Sequence, residues 1–221
     1  MKKEYYTTFT EFHELVQKKR FTPRIYRGVK SINYPLKPKI GWLPLRDGQD
    51  RKNEEKELFV RFKQAAIRYT QIQPKNDWEW LGLAQHHGLP TRILDWTDNP
   101  LVALYFAVRE EIKDDSVIYV YENPSWIDID KHRDPFEIDY VGRVDLPHVT
   151  DRITYQAGLF TIHPDYEKPF DDDKITAIII PNHMRRDIKQ MLHNYGINEM
   201  TLFPGLDGIS KHLEWLRSAK Y

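Results

Sequence analysis

The sequence contains no cysteine among its 221 residues. Without thiols the chain forms neither disulfide bonds nor thiolate nucleophiles, and it cannot hold zinc or an iron–sulfur cluster through cysteine. The absence also argues against a small secreted scaffold that disulfides stabilise. Apolar residues make up 40% of the chain, so we predict a fold that depends on a hydrophobic core.

The chain also lacks an excess of charge of either sign, because 33 basic residues balance 33 acidic residues. A protein that binds nucleic acid without sequence preference usually carries a basic excess. The balance therefore disfavours a dedicated duplex-binding protein, but it does not disfavour a site for one small nucleotide.

Long apolar runs are missing as well. The longest, 101–108, is far shorter than the roughly 20 residues of a membrane-spanning helix. No apolar run follows the first charged residues, as a signal peptide would require. We therefore expect a cytoplasmic protein with no membrane partner, folded as one domain over residues 1–221.

The hydrophobic pattern predicts helices mainly in the first half of the chain and strands mainly in the second. This order indicates an α+β fold, with a mixed β-sheet flanked by helices. Asp77 is the expected cap of one helix, and Thr97 or Asp98 of the next. The expected helices cover about 12–16, 58–69, 78–87, 100–110, 182–193 and 209–216. The expected strands cover about 25–28, 91–95, 117–121, 159–162, 175–180 and 200–203.

Familiar catalytic motifs are absent. The sequence has no phosphate-binding P-loop, no dinucleotide-binding glycine motif, no nucleophile elbow and no zinc-protease motif. Adjacent His86 and His87 point to different sides of a helix, so they do not share one metal ion easily. We expect no metal site.

Four segments carry more polarity than packing alone requires, namely 26–28, 80–100, 156–161 and 198–208. The second segment also has a purely structural interpretation, in which Asp95 and Thr97 cap a helix, Arg92 pairs with Asp95, and His87 is a core histidine whose hydrogen bonds are satisfied. That interpretation suits each residue alone. For the cluster as a whole we favour a binding site, because buried polar groups must find partners.

These segments resemble the FRG domain family. Tyr26-Arg27-Gly28 resembles its aromatic-Arg-Gly signature, and residues 84–107 resemble its longest motif. Residues 156–161 and 202–208 match later blocks in the same order, and the resemblance covers about 9–215. Gly205 departs from the pattern, since an acidic residue is expected before Leu-Asp-Gly.

A weaker, fold-level resemblance connects the chain to ADP-ribosyltransferases, which have a split α+β sheet and use NAD as a substrate. It implies that Arg27, beside Gly28, holds the pyrophosphate or the nicotinamide ribose of NAD. A carboxylate, by preference Glu199, would stabilise the oxocarbenium-like centre, and Gln156 is the other candidate for that position. The implied ligand-binding positions also include His87, Thr91, Arg92, Asp95, Thr97 and Tyr105.

Within that set, Thr97, Asp95 or His87 would fix the ribose hydroxyls, and Tyr105 would either stack on nicotinamide or belong to the core. The acceptor of a transferred group, whether protein or nucleic acid, does not follow from the sequence. Two alternatives stay open. One is a non-catalytic module that binds a nucleotide or nucleic acid, and the other is a hydrolase or nuclease with His86 or His87 and Asp95 as acid–base pair.

Overall fold

The computed structural model describes residues 1–18, 22–44, 50–70, 73–146 and 155–219. Helices and strands alternate irregularly along this part of the chain. The helices are α1 (Phe9–Gln17), α2 (Arg51–Ala66), α3 (Asp77–His86), α4 (Pro100–Val108), α5 (Arg185–Asn194), α6 (Glu199–Leu202) and α7 (Leu206–Ala219). The strands are β1 (Lys2–Tyr5), β2 (Arg24–Val29), β3 (Ile93–Thr97), β4 (Ser116–Glu122), β5 (Gly142–Val144), β6 (Gly158–Ile162) and β7 (Ile175–Ile180).

The strands form one open sheet in the order β1-β7-β4-β2-β3-β6-β5. Strand β1 runs parallel to β7, and the other neighbours are antiparallel. The predicted α+β fold with a mixed sheet is therefore confirmed. Strand β7 has a neighbour on each side, which agrees with its continuous apolar sequence.

The sheet is weakest between β2 and β3. These strands share the single pair Tyr26–Thr97, whereas β2 pairs with β4 from Arg24 to Val29 and β3 pairs with β6 along its whole length. Thr97 is the last residue of β3, so the two strands separate from Arg27 onward. The sheet is continuous and not fully split, but this separation opens a cleft within it.

Helices cover the two halves of the sheet separately. A cluster from α1, α4 and α5 packs on β2, β4 and β7, and a second cluster from α2 and α3 packs on β3, β5 and β6. Gly28 explains how α4 lies so close to β2, because a Cβ there would meet the carbonyl oxygen of Ala103 at 1.8 Å. The glycine of the aromatic-Arg-Gly signature is therefore required by helix–strand packing.

Three local predictions were wrong. Residues 199–202 form the short helix α6 and not a strand, because the Asn198 side chain accepts hydrogen bonds from the backbone N–H groups of Met200 and Thr201. The N-caps of α3 and α4 are Asn76 and Asn99, so Asp77, Thr97 and Asp98 do not cap them. The first correction changes a strand to a helix, and the two cap corrections move a helix start by a residue or two.

Strand β1 was not predicted, because its four residues are mostly charged and exposed. It pairs with β7 at the edge of the sheet, where backbone hydrogen bonds alone suffice. None of the described helices is long and apolar enough to cross a membrane.

Candidate functional site

A cleft of about 290 Å³ lies where β2 and β3 separate. Its walls combine aromatic rings with a few polar groups, which is the usual composition of a small-molecule site. The described residues that line it are Tyr26, Arg27, Gly28, Gln85, His86, Asp95, Trp96, Thr97, Phe106, Gln156, Gly158, Leu159 and Phe160.

Arg27 bridges the two separated strands. One terminal guanidinium nitrogen donates a hydrogen bond to the backbone oxygen of Asp95 at 2.5 Å and lies 3.7 Å from its carboxylate. Its side chain is 25% exposed. Burial lowers the pKa of Arg27 from its usual value, while Asp95 opposes that shift. The guanidinium still remains charged at neutral pH, so it places a cation at the open junction of the sheet.

Among the described residues that line the cleft, Asp95 is the only one with a carboxylate. One of its oxygens accepts a hydrogen bond from the Gln85 amide at 2.8 Å, and Gln85 in turn accepts one from the Thr91 hydroxyl at 2.5 Å. The Asp95 side chain is 59% exposed, so most of its hydrogen-bonding capacity faces solvent. Thr91 is buried and acts through Gln85, which it orients.

Thr97 and Gln156 close the other end of the cleft. The Thr97 hydroxyl donates to the backbone oxygen of Gln156 at 2.7 Å and accepts from the backbone of Asn99. The Gln156 amide donates to the backbone oxygen of Leu202 at 2.9 Å. The next residue, Ala157, has φ of 45°, a left-handed conformation that is costly for alanine. This turn holds Gln156 in the cleft wall.

Arg92, in contrast, lies away from the cleft in the core. Its guanidinium binds Glu55 through Nε and one terminal nitrogen, at 2.6–3.0 Å, and both side chains are 2% exposed. The expected Arg92–Asp95 pair is therefore wrong. His87 is exposed and lines a shallow pocket beside α2, so it is neither a core histidine nor a part of the cleft.

Glu199 and Tyr105 lie together in a second cavity of about 330 Å³ between α4, α5, α6 and α7. Glu199 accepts hydrogen bonds from the Tyr105 hydroxyl at 2.7 Å and from Arg109 at 2.5 and 2.8 Å. Burial alone would raise the pKa of Glu199, but Arg109 and Tyr105 outweigh it and hold the pKa below its usual value. The preferred catalytic carboxylate is thus not among the residues that line the cleft.

Several site residues were not predicted individually. Gln85 and Phe106 lie inside the 84–107 motif, and only the structure shows that they line the cleft. His86, which was predicted as one possible acid–base partner of Asp95, lines the cleft as well.

The burial of Glu55 in the core could have been predicted from the sequence, because Glu55 lies one helical turn before Phe59 on the apolar face of α2. A carboxylate on such a face requires a buried cation, and Arg92 supplies it.

Comparison with known proteins adds one finding. Residues 22–116 match the model of the FRG domain. This confirms the predicted FRG resemblance over that part of the chain, which is a little under half of it. The FRG match includes Arg27 and the 84–107 motif, and it ends before Gln156 and Glu199. No curated protein and no solved structure matches the chain.

Proposed function

We propose that the cleft binds the phosphate-and-ribose part of NAD and that the protein is an ADP-ribosyltransferase-like enzyme. The observation that carries this proposal is the position of Arg27, a partly exposed cation at the junction where β2 and β3 separate. A guanidinium presents a planar set of donors that suits phosphate oxygens.

The remaining wall residues suit the rest of such a ligand. Asp95 and Thr97 would accept hydrogen bonds from ribose hydroxyls, and Phe106 would offer an aromatic surface to nicotinamide. Tyr105 is less suitable for that task, since its hydroxyl is committed to Glu199 in the second cavity. The proposed assignment therefore moves the aromatic contact by one residue along α4.

The proposed chemistry requires one carboxylate. As the bond between nicotinamide and ribose C1′ breaks, its electron pair leaves on the nicotinamide nitrogen and positive charge develops at C1′. The Asp95 carboxylate would stabilise that charge in place of Glu199. An acceptor nucleophile would then bond to C1′ and release its proton to Asp95 or to water.

A second candidate function is NAD binding without turnover. It is favoured by Gln156, which lines the cleft but carries no charge, and by the high exposure of Asp95. Water screens an exposed carboxylate and weakens its effect on a developing charge. The two functions share the binding site and differ in whether nicotinamide is released.

The test is a calorimetric titration with NAD, with nicotinamide release followed in parallel. Arg27→Ala is expected to weaken NAD binding at least about tenfold, and Asp95→Asn is expected to abolish release while binding persists. Arg61→Ala, which removes an exposed arginine on α2, is the matched control.

Binding without release in the unmodified protein would support the second function. If NAD does not bind, or binds Arg27→Ala equally well, the proposal is wrong. Cleavage of RNA or DNA that depends on His86 and Asp95, both in the cleft, would instead support the hydrolase or nuclease alternative.

A further inference from the structure

The side chains that line the second cavity include more cations than carboxylates. Titratable and charged groups face it from four helices: Tyr105, Arg109 and Glu110 on and after α4, Lys189 and His193 on α5, Glu199 on α6, and Lys211 and His212 on α7. Asn198 and Trp215 complete its lining.

Both carboxylates of this cavity already have cationic partners. Glu199 is bound by Arg109, and Glu110 forms an ion pair with Lys30 at 2.6 Å. Among the described residues, neither Lys189 nor Lys211 forms a salt bridge with a carboxylate. Glu111 and Glu199 attract Lys189, and Glu199 attracts Lys211, only through longer-range electrostatics. Lys189 donates one hydrogen bond to the backbone oxygen of Arg109, and an ammonium group has three donors.

Two imidazoles add unused hydrogen-bonding atoms. The Nδ1 atoms of His193 and His212 are buried and have no hydrogen-bond partner among the described residues. His212 is 4% exposed, and its ring centroid lies 5.1 Å from that of His193. Buried polar atoms rarely lack a partner unless they serve a ligand or ordered water.

From this arrangement we infer that the cavity between α4, α5, α6 and α7 is a binding site for the phosphate group of a small molecule. Two ammonium groups and two imidazoles surround it, which matches the several acceptor oxygens and the negative charge of a phosphate. This site is separate from the cleft and does not depend on NAD binding there.

Binding should be linked to protonation of the histidines. Burial, and then the nearby His193, lowers the pKa of His212, so the imidazole is mainly neutral at neutral pH. A bound anion would favour the imidazolium form and take up a proton. Affinity should therefore increase as pH falls.

The test is calorimetric titration of the full chain with inorganic phosphate and with ribose 5-phosphate at pH 7. Lys211→Ala, which removes an exposed side chain, is expected to weaken binding about tenfold, and His212→Gln is expected to do the same. Lys52→Ala, on the exposed side of α2, is expected to leave it unchanged. The titrations are repeated in an Arg27→Ala background, so that any phosphate bound in the cleft does not enter the comparison.

Tighter binding of ribose 5-phosphate would identify a phosphorylated metabolite as the ligand, and equal affinity would identify free phosphate. Sulfate is the probe for the pH dependence, because its charge is constant between pH 6 and pH 8 and any change in affinity comes from the protein. Sulfate is expected to bind about tenfold more tightly at pH 6 than at pH 8. No saturable binding, or binding that Lys211→Ala and Lys52→Ala alter equally, would overturn the inference.

Discussion

Arg27 and Arg92 both lie within the FRG match, yet their environments are opposite. Arg27 lies at the mouth of the cleft, 25% exposed and bonded to a backbone oxygen. Arg92 is 2% exposed, bound by Glu55 and within 5.0 and 5.3 Å of the Phe136 and Tyr166 ring centroids. A family motif therefore shows only that an arginine needs an acceptor or an anionic partner. For Arg92 that partner is the buried Glu55 carboxylate, whereas the partly exposed Arg27 can bind a ligand.

The largest effect is expected for Arg92→Ala. Removal of the guanidinium leaves the Glu55 carboxylate buried and unpaired, which should cost about 3–5 kcal/mol of the free energy of unfolding. Urea denaturation followed by circular dichroism measures this loss. Arg61→Ala removes an exposed helical ion pair and should cost about 0.5 kcal/mol at most. Similar losses in the two variants would show that Arg92 is not structural.

Gly28→Ala should have the next largest effect. The new Cβ would lie 1.8 Å from the Ala103 oxygen and 2.7 Å from the Ala107 nitrogen. Both atoms are backbone, so α4 must move away from β2, at a cost of about 1–3 kcal/mol. The control is Gly82→Ala in α3, where the nearest atom is the flexible end of Leu146 and alanine favours the helix. An equal loss in both variants would contradict the close-packing role of Gly28.

Glu199→Gln probes the second cavity. It removes a charge that accepts three hydrogen bonds, so stability at pH 7 should fall by about 1–3 kcal/mol. The folded-state pKa of Glu199 is below its unfolded value. Its contribution is therefore complete at neutral pH and is lost as pH falls through the folded pKa. The difference between the two proteins should shrink toward acidic pH, and a constant difference would contradict the pairing.

Arg27→Ala should change stability least. It removes a bond to the Asp95 backbone and a long contact with the carboxylate, for a loss of about 1 kcal/mol. Denaturant unfolding beside Arg92→Ala gives the comparison directly. If Arg27→Ala destabilises the protein as strongly as Arg92→Ala, Arg27 serves the fold and the cleft loses its main candidate for ligand binding.

Much of the fold follows from hydrophobic periodicity. Strands β4, β6 and β7 carry apolar runs of strand length, and α4 is almost wholly apolar, so their existence was predictable. The short charged strand β1 was not, because its pairing with β7 is a tertiary effect. Helix α6 was missed because the cap at Asn198 overrides a short apolar run that suited a strand.

The candidate site was predictable in part. Arg27, Asp95, Thr97 and Gln156 come together because β2, β3 and the start of β6 meet at the separated junction. The order of the motifs also suggested Glu199 as the catalytic carboxylate of this site. Because residues 199–202 form a helix, the Glu199 side chain instead binds Arg109 beside α4. The packing of the helices decides that Glu199 lines the second cavity and not the cleft. The spacing of residues along the sequence does not contain that information.

The most direct test of the cleft is to map NAD on the backbone amide signals of the folded protein by nuclear magnetic resonance. We expect chemical-shift changes at residues 26–28, 95–97 and 156–160, with little change along α7. In Arg27→Ala these changes should require much higher NAD concentrations. Shifts confined to α5 and α7, or none at all, would contradict the proposal that the junction of β2 and β3 is the nucleotide site.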